Sequence, residues 1–260
     1  MLLVIDVGNT NITLGLYDCD RLGPRWRLAT AHDRMPDEYG LQFLGLLAHD
    51  GVDLAEVSGV CLASVVPSLT GKIGETCRRY LRQEPLVVGA GVKSGVRIRV
   101  DYPQAVGADR VADAAAVKHL YGGPACVVDF GTATTFDAVS ADGDYLGGAI
   151  APGIGISAEA LFTRTAQLPR VELQRPPGVI GRSTIHAMQS GLIFGYTSLV
   201  EGMINRFRVE LGADMKVIAT GGLAEVVARE TAVIQYVDPW LTLDGLRIIY
   251  GMNHGEASKR

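Results

Sequence analysis

The sequence predicts an α/β protein whose two halves repeat one architecture. Two segments 123 positions apart, at 2–15 and 125–137, carry nearly the same signature. In each, an apolar strand ends in Asp, Gly opens a tight turn, and hydroxyl or amide side chains lead into a second strand. Short β-branched runs then alternate with longer helical patterns in both halves, which is typical of α/β folds. The doubling therefore indicates an internal duplication.

The first half is predicted to form a meander of strands followed by alternating helices and strands. We expect strands at 2–7, 11–18, 25–30, 60–66, 86–88 and 96–100, with helices near 37–49 and 68–82. A further helix follows Asp101-Tyr102-Pro103 and ends at Gly122-Gly123-Pro124, a combination that breaks helices. This break predicts two domains, 1–121 and 122–260.

The second half is predicted to begin with its own hairpin and to continue in the same alternation. We expect a third strand at 145–151, helices near 156–166 and 184–211, a strand at 216–220 and a last apolar segment at 241–250. No low-complexity linker separates the halves, so we expect them to share an interface and a cleft.

Composition excludes several classes of protein. The formal charge of −4 argues against a nucleic-acid-binding face, which is usually basic. The first residues lack the basic region of a signal peptide, and no stretch approaches the ~20 apolar residues that cross a bilayer. The cysteines are far apart, without a C-x-x-C pair, and are interpreted as reduced thiols. We therefore expect a cytoplasmic protein without membrane or nucleic-acid partners.

The paired acidic turns are the first candidate for chemistry. A glycine turn can aim backbone N–H groups and hydroxyls at a phosphate, while Asp6 or Asp129 stands ready for a cation. The alternative is that each Asp only caps its own turn; the repetition favours the functional interpretation. The neutral donors available to phosphate oxygens are Asn9, Thr10, Asn11, Thr132, Thr134 and Thr135.

A second candidate opens the helix after residue 106. In Gly107-Ala108-Asp109-Arg110, the Arg could bind an anionic substrate and the carboxylate could accept a proton. The alternative is that Asp109 is there because a helix N-terminus favours negative charge. Asp113, one turn later, either pairs with Arg110 or faces the cleft, and the sequence leaves both open.

Two glycine-rich segments have weaker signals. Gly221-Gly222 follows a strand and either lets the backbone approach a flat group such as adenine or simply allows a tight turn. The segment 89–95 resembles a dinucleotide fingerprint, but its last glycine is one position late and a strand is expected to follow. That segment is therefore discounted.

Four motifs in register resemble those of the type III pantothenate kinases. They are Asp6-Val7-Gly8-Asn9-Thr10, Gly107-Ala108-Asp109-Arg110, Asp129-Phe130-Gly131-Thr132-Ala133-Thr134 and Gly148-Ala149-Ile150-Ala151-Pro152-Gly153. The resemblance extends to about residue 250. It implies the fold of the superfamily that includes acetate kinase, sugar kinases and actin: two duplicated ribonuclease-H-like, actin-like ATPase domains with an interdomain cleft.

The resemblance implies ATP-dependent phosphorylation of pantothenate to 4'-phosphopantothenate, the first step of coenzyme A biosynthesis. It implies that Asp109 is the general base, that Asp6 lies near a divalent cation such as Mg²⁺, and that Asp129 helps to hold a monovalent cation, K⁺ or NH₄⁺. The implied nucleotide-binding residues are Asp6, Val7, Gly8, Asn9, Thr10, Asn11, Ile12, Thr13 and Thr132. The implied pantothenate contacts are Tyr102, Gly107, Ala108, Asp109, Arg110 and Thr184.

Members of the family are homodimers with the site near the subunit interface, which would let Thr184 act across it. Two other functions compete with this interpretation. One is a kinase of the same superfamily that acts on a sugar or a carboxylate. The other is a non-catalytic relative that binds nucleotide and regulates or assembles other proteins, although loss of Asp109 or Asp129 would be expected in that case.

Overall fold

The computed structural model describes residues 1–255, which form two units. Unit 1 consists of residues 1–97, residues 101–119 and the segment from Leu241 onward; unit 2 consists of residues 98–100 and 120–240. The domains drawn on the sequence, 1–121 and 122–260, remain a proposal. The two units differ from these domains mainly because the last helix belongs to unit 1.

Each unit is built around one five-stranded sheet. The strands are β1 (Leu2–Val7), β2 (Asn11–Asp18), β3 (Arg21–Ala29), β4 (Gly59–Ser64), β5 (Leu86–Val87), β6 (Ala125–Phe130), β7 (Ala133–Val139), β8 (Tyr145–Pro152), β9 (Lys216–Thr220) and β10 (Tyr236–Val237). The helices are α1 (Pro36–His49), α2 (Pro67–Thr76), α3 (Ala108–Leu120), α4 (Ile154–Thr163), α5 (Thr184–Leu211), α6 (Ala224–Ala228) and α7 (Leu241–His254).

The two sheets have one topology. The strand order is β3-β2-β1-β4-β5 in unit 1 and β10-β9-β6-β7-β8 in unit 2, which is the same succession viewed from the other edge. In each, the first three strands form an antiparallel meander, the fourth pairs in parallel with the first, and the fifth pairs in parallel with the fourth. The predicted duplicated α/β architecture is confirmed.

In unit 1 the sheet has two differently covered faces. Successive strand residues point to opposite sides, so Leu3, Ile5 and Val7 share the face that packs into a core with α1 and α2. Val4 and Asp6 point to the other face. There α7 packs so closely that a Cβ at Gly15 would clash with Leu243 of that helix. Asp6 thus lies on the α7 side of its sheet.

Unit 2 repeats this arrangement. Cys126, Val128 and Phe130 form a core with α5, α4 and α6. Asp129 points to the opposite face, as Asp6 does in unit 1. The duplication therefore places each aspartate on the sheet face away from the helices that follow the meander.

The structure departs from the sequence prediction in one strand and one helix start. The strand predicted at 96–100 is wrong, because these residues pair only at a single bridge between Ile98 and Tyr145. The helix expected directly after Pro103 begins at Ala108, after one 3₁₀ turn. The long helix at 184–211 is confirmed. Within residues 1–255, no helix has both the length and the apolar character needed to span a bilayer.

Burial of three of the four cysteines predicts selective thiol chemistry. Desolvation raises the pKa of the Cys61 and Cys77 thiols to about 12 and that of Cys126 above its usual range, whereas Cys19 is exposed. Since the thiolate is the reactive form, we expect about one thiol per native chain to react with an aromatic disulfide at pH 8, and all four in guanidinium chloride. Cys19→Ser should abolish the native reaction; rapid reaction of a second thiol would contradict the assignment.

Candidate active site

Asp6 and Asp129 occupy equivalent places in the two sheets. Each is the fifth of six residues in the first strand of its meander and is half-buried. Asp6 is aligned with Thr13 on β2 and Ala63 on β4. Asp129 is aligned with Thr135 on β7 and with Thr220 on β9. The common position matches the prediction, whereas the neighbouring side chains differ.

The first turn is fixed by backbone hydrogen bonds and leaves its side chains exposed. The Gly8 N–H donates to the Asn11 carbonyl over 3.0 Å. Thr30, just after β3, donates its hydroxyl to the Gly8 carbonyl over 2.6 Å and its N–H to the Thr10 carbonyl over 2.9 Å. Asn9, Thr10 and Asn11 are exposed, as donors to a ligand must be. Thr30 was not predicted as part of the site, because no residue pattern near it indicates a contact with a turn 20 residues earlier.

The second turn is one residue shorter and uses different side chains. Thr132 is exposed, but Thr134 is fully buried and its hydroxyl has no hydrogen-bond partner among residues 1–255. The expectation that Thr134 contacts phosphate is therefore wrong, because strand alternation turns it into the core. Thr135 points to the face of Asp129 and donates its hydroxyl to Asp137 over 2.9 Å.

The carboxylate of Asp129 lies against a glycine. A Cβ at Gly221 would come within 3.0 Å of the Asp129 Oδ1 atom, closer than real Cβ atoms approach. The φ of Gly221 is +89°, a region that residues with a side chain rarely adopt. The structure has a tight turn at Gly221 with this carboxylate as its close neighbour, and the approach of a flat group such as adenine to Gly221-Gly222 stays a prediction.

Asp109 is seated in a similar way on unit 1. Its Oδ1 atom accepts a hydrogen bond from the Arg110 N–H over 2.8 Å and lies where a Cβ of Gly107 would be. Residues 111–117 of α3 are buried, but the first turn is only half-buried. The turn therefore presents a carboxylate at the partly accessible end of an otherwise buried helix.

The remaining predicted residues are placed as follows. Tyr102 is 76% exposed, just before the 3₁₀ turn that precedes α3. Thr184 is exposed at the first position of α5, where Ser183 caps the helix by accepting from the His186 N–H. Asp113 is buried and accepts a hydrogen bond from the Thr242 hydroxyl over 2.8 Å. That contact was foreseen by neither interpretation of Asp113.

No cluster of three His, Cys, Asp or Glu side chains that could hold a metal ion occurs in the described part of the chain.

Similarity to known proteins decides the family. The family model described as Type III pantothenate kinase matches residues 2–206. The chain belongs to the type III pantothenate kinase family. A relative from Roseiflexus sp. (strain RS-1), named Type III pantothenate kinase, is 54% identical over 253 residues, which cover 97% of this chain and 99% of the relative.

Two solved structures support the fold of this pantothenate kinase family member. A putative Baf family transcriptional activator from Campylobacter jejuni is 20% identical with a TM-score of 0.62, covering 97% of this chain and 99% of that one. A putative N-acetylmannosamine kinase from Listeria monocytogenes is 10% identical with a TM-score of 0.52, covering 97% and 99%. At these identities the likeness concerns the fold alone, which is the duplicated ribonuclease-H-like fold of sugar kinases and actin-like ATPases.

Gly221 and Gly222 form a matched pair for testing whether the Asp129 carboxylate lies close to the backbone of Gly221. We expect Gly221→Ala to lower the free energy of unfolding by about 1–3 kcal/mol, because of its backbone conformation and the displaced carboxylate. Gly222→Ala should change it by less than ~0.5 kcal/mol, since its Cβ would meet nothing within 4 Å. Denaturant unfolding of both variants measures this, and equal effects would refute the close contact.

Proposed function

We propose that the protein transfers the γ-phosphoryl group of ATP to the terminal primary hydroxyl of pantothenate, giving 4'-phosphopantothenate and ADP. The observation that carries the proposal is the relationship to proteins named type III pantothenate kinase over nearly the whole chain. The positions of the four motifs at turns and at a helix start support it. This reaction is the first step of coenzyme A synthesis. The proposal includes the cytoplasmic location that is expected from the sequence.

The turn after β1 is proposed to bind nucleotide phosphates. Its exposed hydroxyl and amide groups are neutral donors, and its backbone is held independently of any ligand by Thr30. Preorganised donors stabilise developing phosphate charge without reorganising during the reaction. Asp6, at the end of β1, would bind the divalent cation through water, and that cation would neutralise charge on the phosphates.

Asp109 is proposed to be the general base. Phosphoryl transfer asks little covalent chemistry of the protein, so the main tasks are in-line placement and proton removal. As the hydroxyl oxygen attacks the γ-phosphorus, the bond from phosphorus to the β,γ-bridging oxygen breaks and the hydroxyl proton passes to the Asp109 carboxylate. Arg110, the neighbouring cation, would bind the carboxylate of pantothenate by charge-assisted hydrogen bonds, with Gly107, Ala108, Tyr102 and Thr184 as further contacts.

Asp129 is proposed to hold a monovalent cation, K⁺ or NH₄⁺. The fit is supported by the oxygen-rich surroundings: two threonines, Thr135 and Thr220, are aligned with Asp129 on neighbouring strands. Gly221 has no side chain, so its backbone and the Asp129 carboxylate can lie close together. Thr132, exposed in the turn after β6, would contact nucleotide phosphate. The homodimer implied by the family is part of this proposal.

The rival activities within the same fold are separated by substrate. Purified protein should consume ATP with pantothenate and K⁺, and should not do so with N-acetylglucosamine or acetate. Turnover of either of these instead would overturn the proposal. Absence of turnover with all three would favour the non-catalytic alternative.

Asp109→Asn tests the base. The amide oxygen can still accept from the Arg110 N–H, so the helix start should keep its geometry while the proton acceptor is lost. We expect kcat to fall by ~10²–10⁴-fold, the usual contribution of a general base. The midpoint of thermal unfolding should barely change. Coupled detection of ADP measures the first quantity, and a variant that retains most of its turnover would exclude Asp109 as the base.

Asp129→Asn tests the cation site, with Asp142→Asn as the control because Asp142 is an exposed aspartate of the same unit. At constant ionic strength, K⁺ in place of Na⁺ should raise the rate of the unaltered enzyme and of the control. Asp129→Asn should lose this response, since the neutral amide attracts a cation less. An unchanged response to K⁺ in Asp129→Asn would show that the cation binds elsewhere.

A further inference from the structure

The last helix, α7, contacts α3 one turn after Asp109. The Thr242 hydroxyl of α7 donates to the Asp113 Oδ1 atom over 2.8 Å, and Asp113 is only 2% exposed. At Gly245 the backbone of α7 comes so close to α3 that a Cβ would clash with the Ala112 carbonyl oxygen. A directional hydrogen bond and a close backbone approach thus act on adjacent residues of α3.

The spacing of these contacts makes them a clamp on the first turn of α3. Thr242 and Gly245 are three residues apart and share one face of α7. Asp113 follows Asp109 by four residues, so both lie on one side of α3, about 6 Å apart along its axis at 1.5 Å per residue. Rotation or sliding of α3 would therefore break the Thr242 hydrogen bond and move the Asp109 carboxylate together.

Helix α7 is itself fixed to the sheet that carries Asp6. Leu243 packs where a Cβ of Gly15 would be, and Tyr250 packs against Gly59 on β4 in the same way. The hydroxyl of the fully buried Tyr17 on β2 donates to Asp244 over 2.7 Å. One helix, α7, thus connects the strands beside Asp6 to α3, whose first turn carries Asp109, all within unit 1.

We infer that Thr242 and Asp113 are positioning residues for the Asp109 carboxylate, acting through α3. The inference rests on the proposed function, in which Asp109 takes a proton from the attacking hydroxyl. Phosphoryl transfer depends on placement, and a displacement of about 1 Å at a catalytic group can lower a rate by the order of 10²-fold. Neither residue needs to touch a substrate for its loss to reduce turnover.

Thr242→Val is the decisive variant, because it keeps the shape of the side chain and removes the donor. We expect kcat to fall about tenfold or more, with KM for ATP changing less than about threefold, since the turn after β1 stays in place. KM for pantothenate should rise with the loss of kcat, because Arg110 lies in the same helical turn as Asp109. Thr242→Ser restores the hydroxyl and should recover most of kcat. If Thr242→Val is not obtained as folded protein, Thr242→Ala is assayed with the same expectations.

Thr76→Val is the matched control. Thr76 is fully buried in unit 1, whereas Thr242 is half-buried, and the Thr76 hydroxyl bonds to the carbonyls of Pro36 on α1 and Lys72 on α2 over 3.0 and 2.9 Å. The variant Thr76→Val should lower the midpoint of thermal unfolding, as Thr242→Val should, but it should leave kcat within twofold of the unaltered enzyme.

Three results would overturn the inference: full kcat in Thr242→Val, no recovery in Thr242→Ser, or an equal loss of kcat in Thr76→Val. Failure of the proposed function has a different signature, because the unaltered enzyme would not phosphorylate pantothenate, or Asp109→Asn would remain active. A third pattern of results separates the two proposals. If the unaltered enzyme is active, Asp109→Asn is inactive and Thr242→Val is fully active, then only the positioning role of Thr242 and Asp113 is rejected.

Discussion

The candidate chemistry depends on space that glycines leave beside two carboxylates. Asp109 lies over Gly107 and Asp129 lies against Gly221, each at a distance that a Cβ would obstruct. The two carboxylates are constrained by different kinds of contact. At Gly107 the obstructing atom belongs to a side chain that could rotate away, whereas at Gly221 the backbone of Phe130 and a positive φ add to the constraint. Asp109 is therefore the more adjustable of the two carboxylates, which explains why a separate device that fixes its helix would be useful.

Duplication supplied the same strand-to-turn junction twice, and the neighbouring residues made the copies different. Asp6 has Ala63 beside it on the parallel strand, whereas Asp129 has Thr220. The first turn is one residue longer and exposes three polar side chains, whereas the second exposes Thr132 and buries Thr134. This difference in available donors and oxygen ligands supports the phosphate-binding role proposed for the first turn and the cation-binding role proposed for the second.

The sequence predicted the features that depend on local pattern. Strands β1, β2, β6 and β9 and helix α5 came from apolar runs bounded by turn or cap residues, and the duplicated topology came from the repeated signature. The strand at 96–100 failed because alternation alone does not provide a partner strand. The contacts of Thr30 with the first turn, of Gly221 with Asp129 and of Thr242 with Asp113 join residues distant in sequence. A single chain carries no local signal for such pairs.

The placement of Asp109 shows why position matters more here than the chemistry of the carboxyl group. At the start of α3, the helix N-terminus favours a negatively charged side chain. Any Asp in a first helical turn is favoured in this way, and most are not bases. The distinguishing features are the half-buried first turn, the glycine beneath the carboxylate and the buried remainder of the helix held by α7. These features hold one oxygen-bearing group in one place. They support the proposed role of Asp109, because phosphoryl transfer depends mainly on placement.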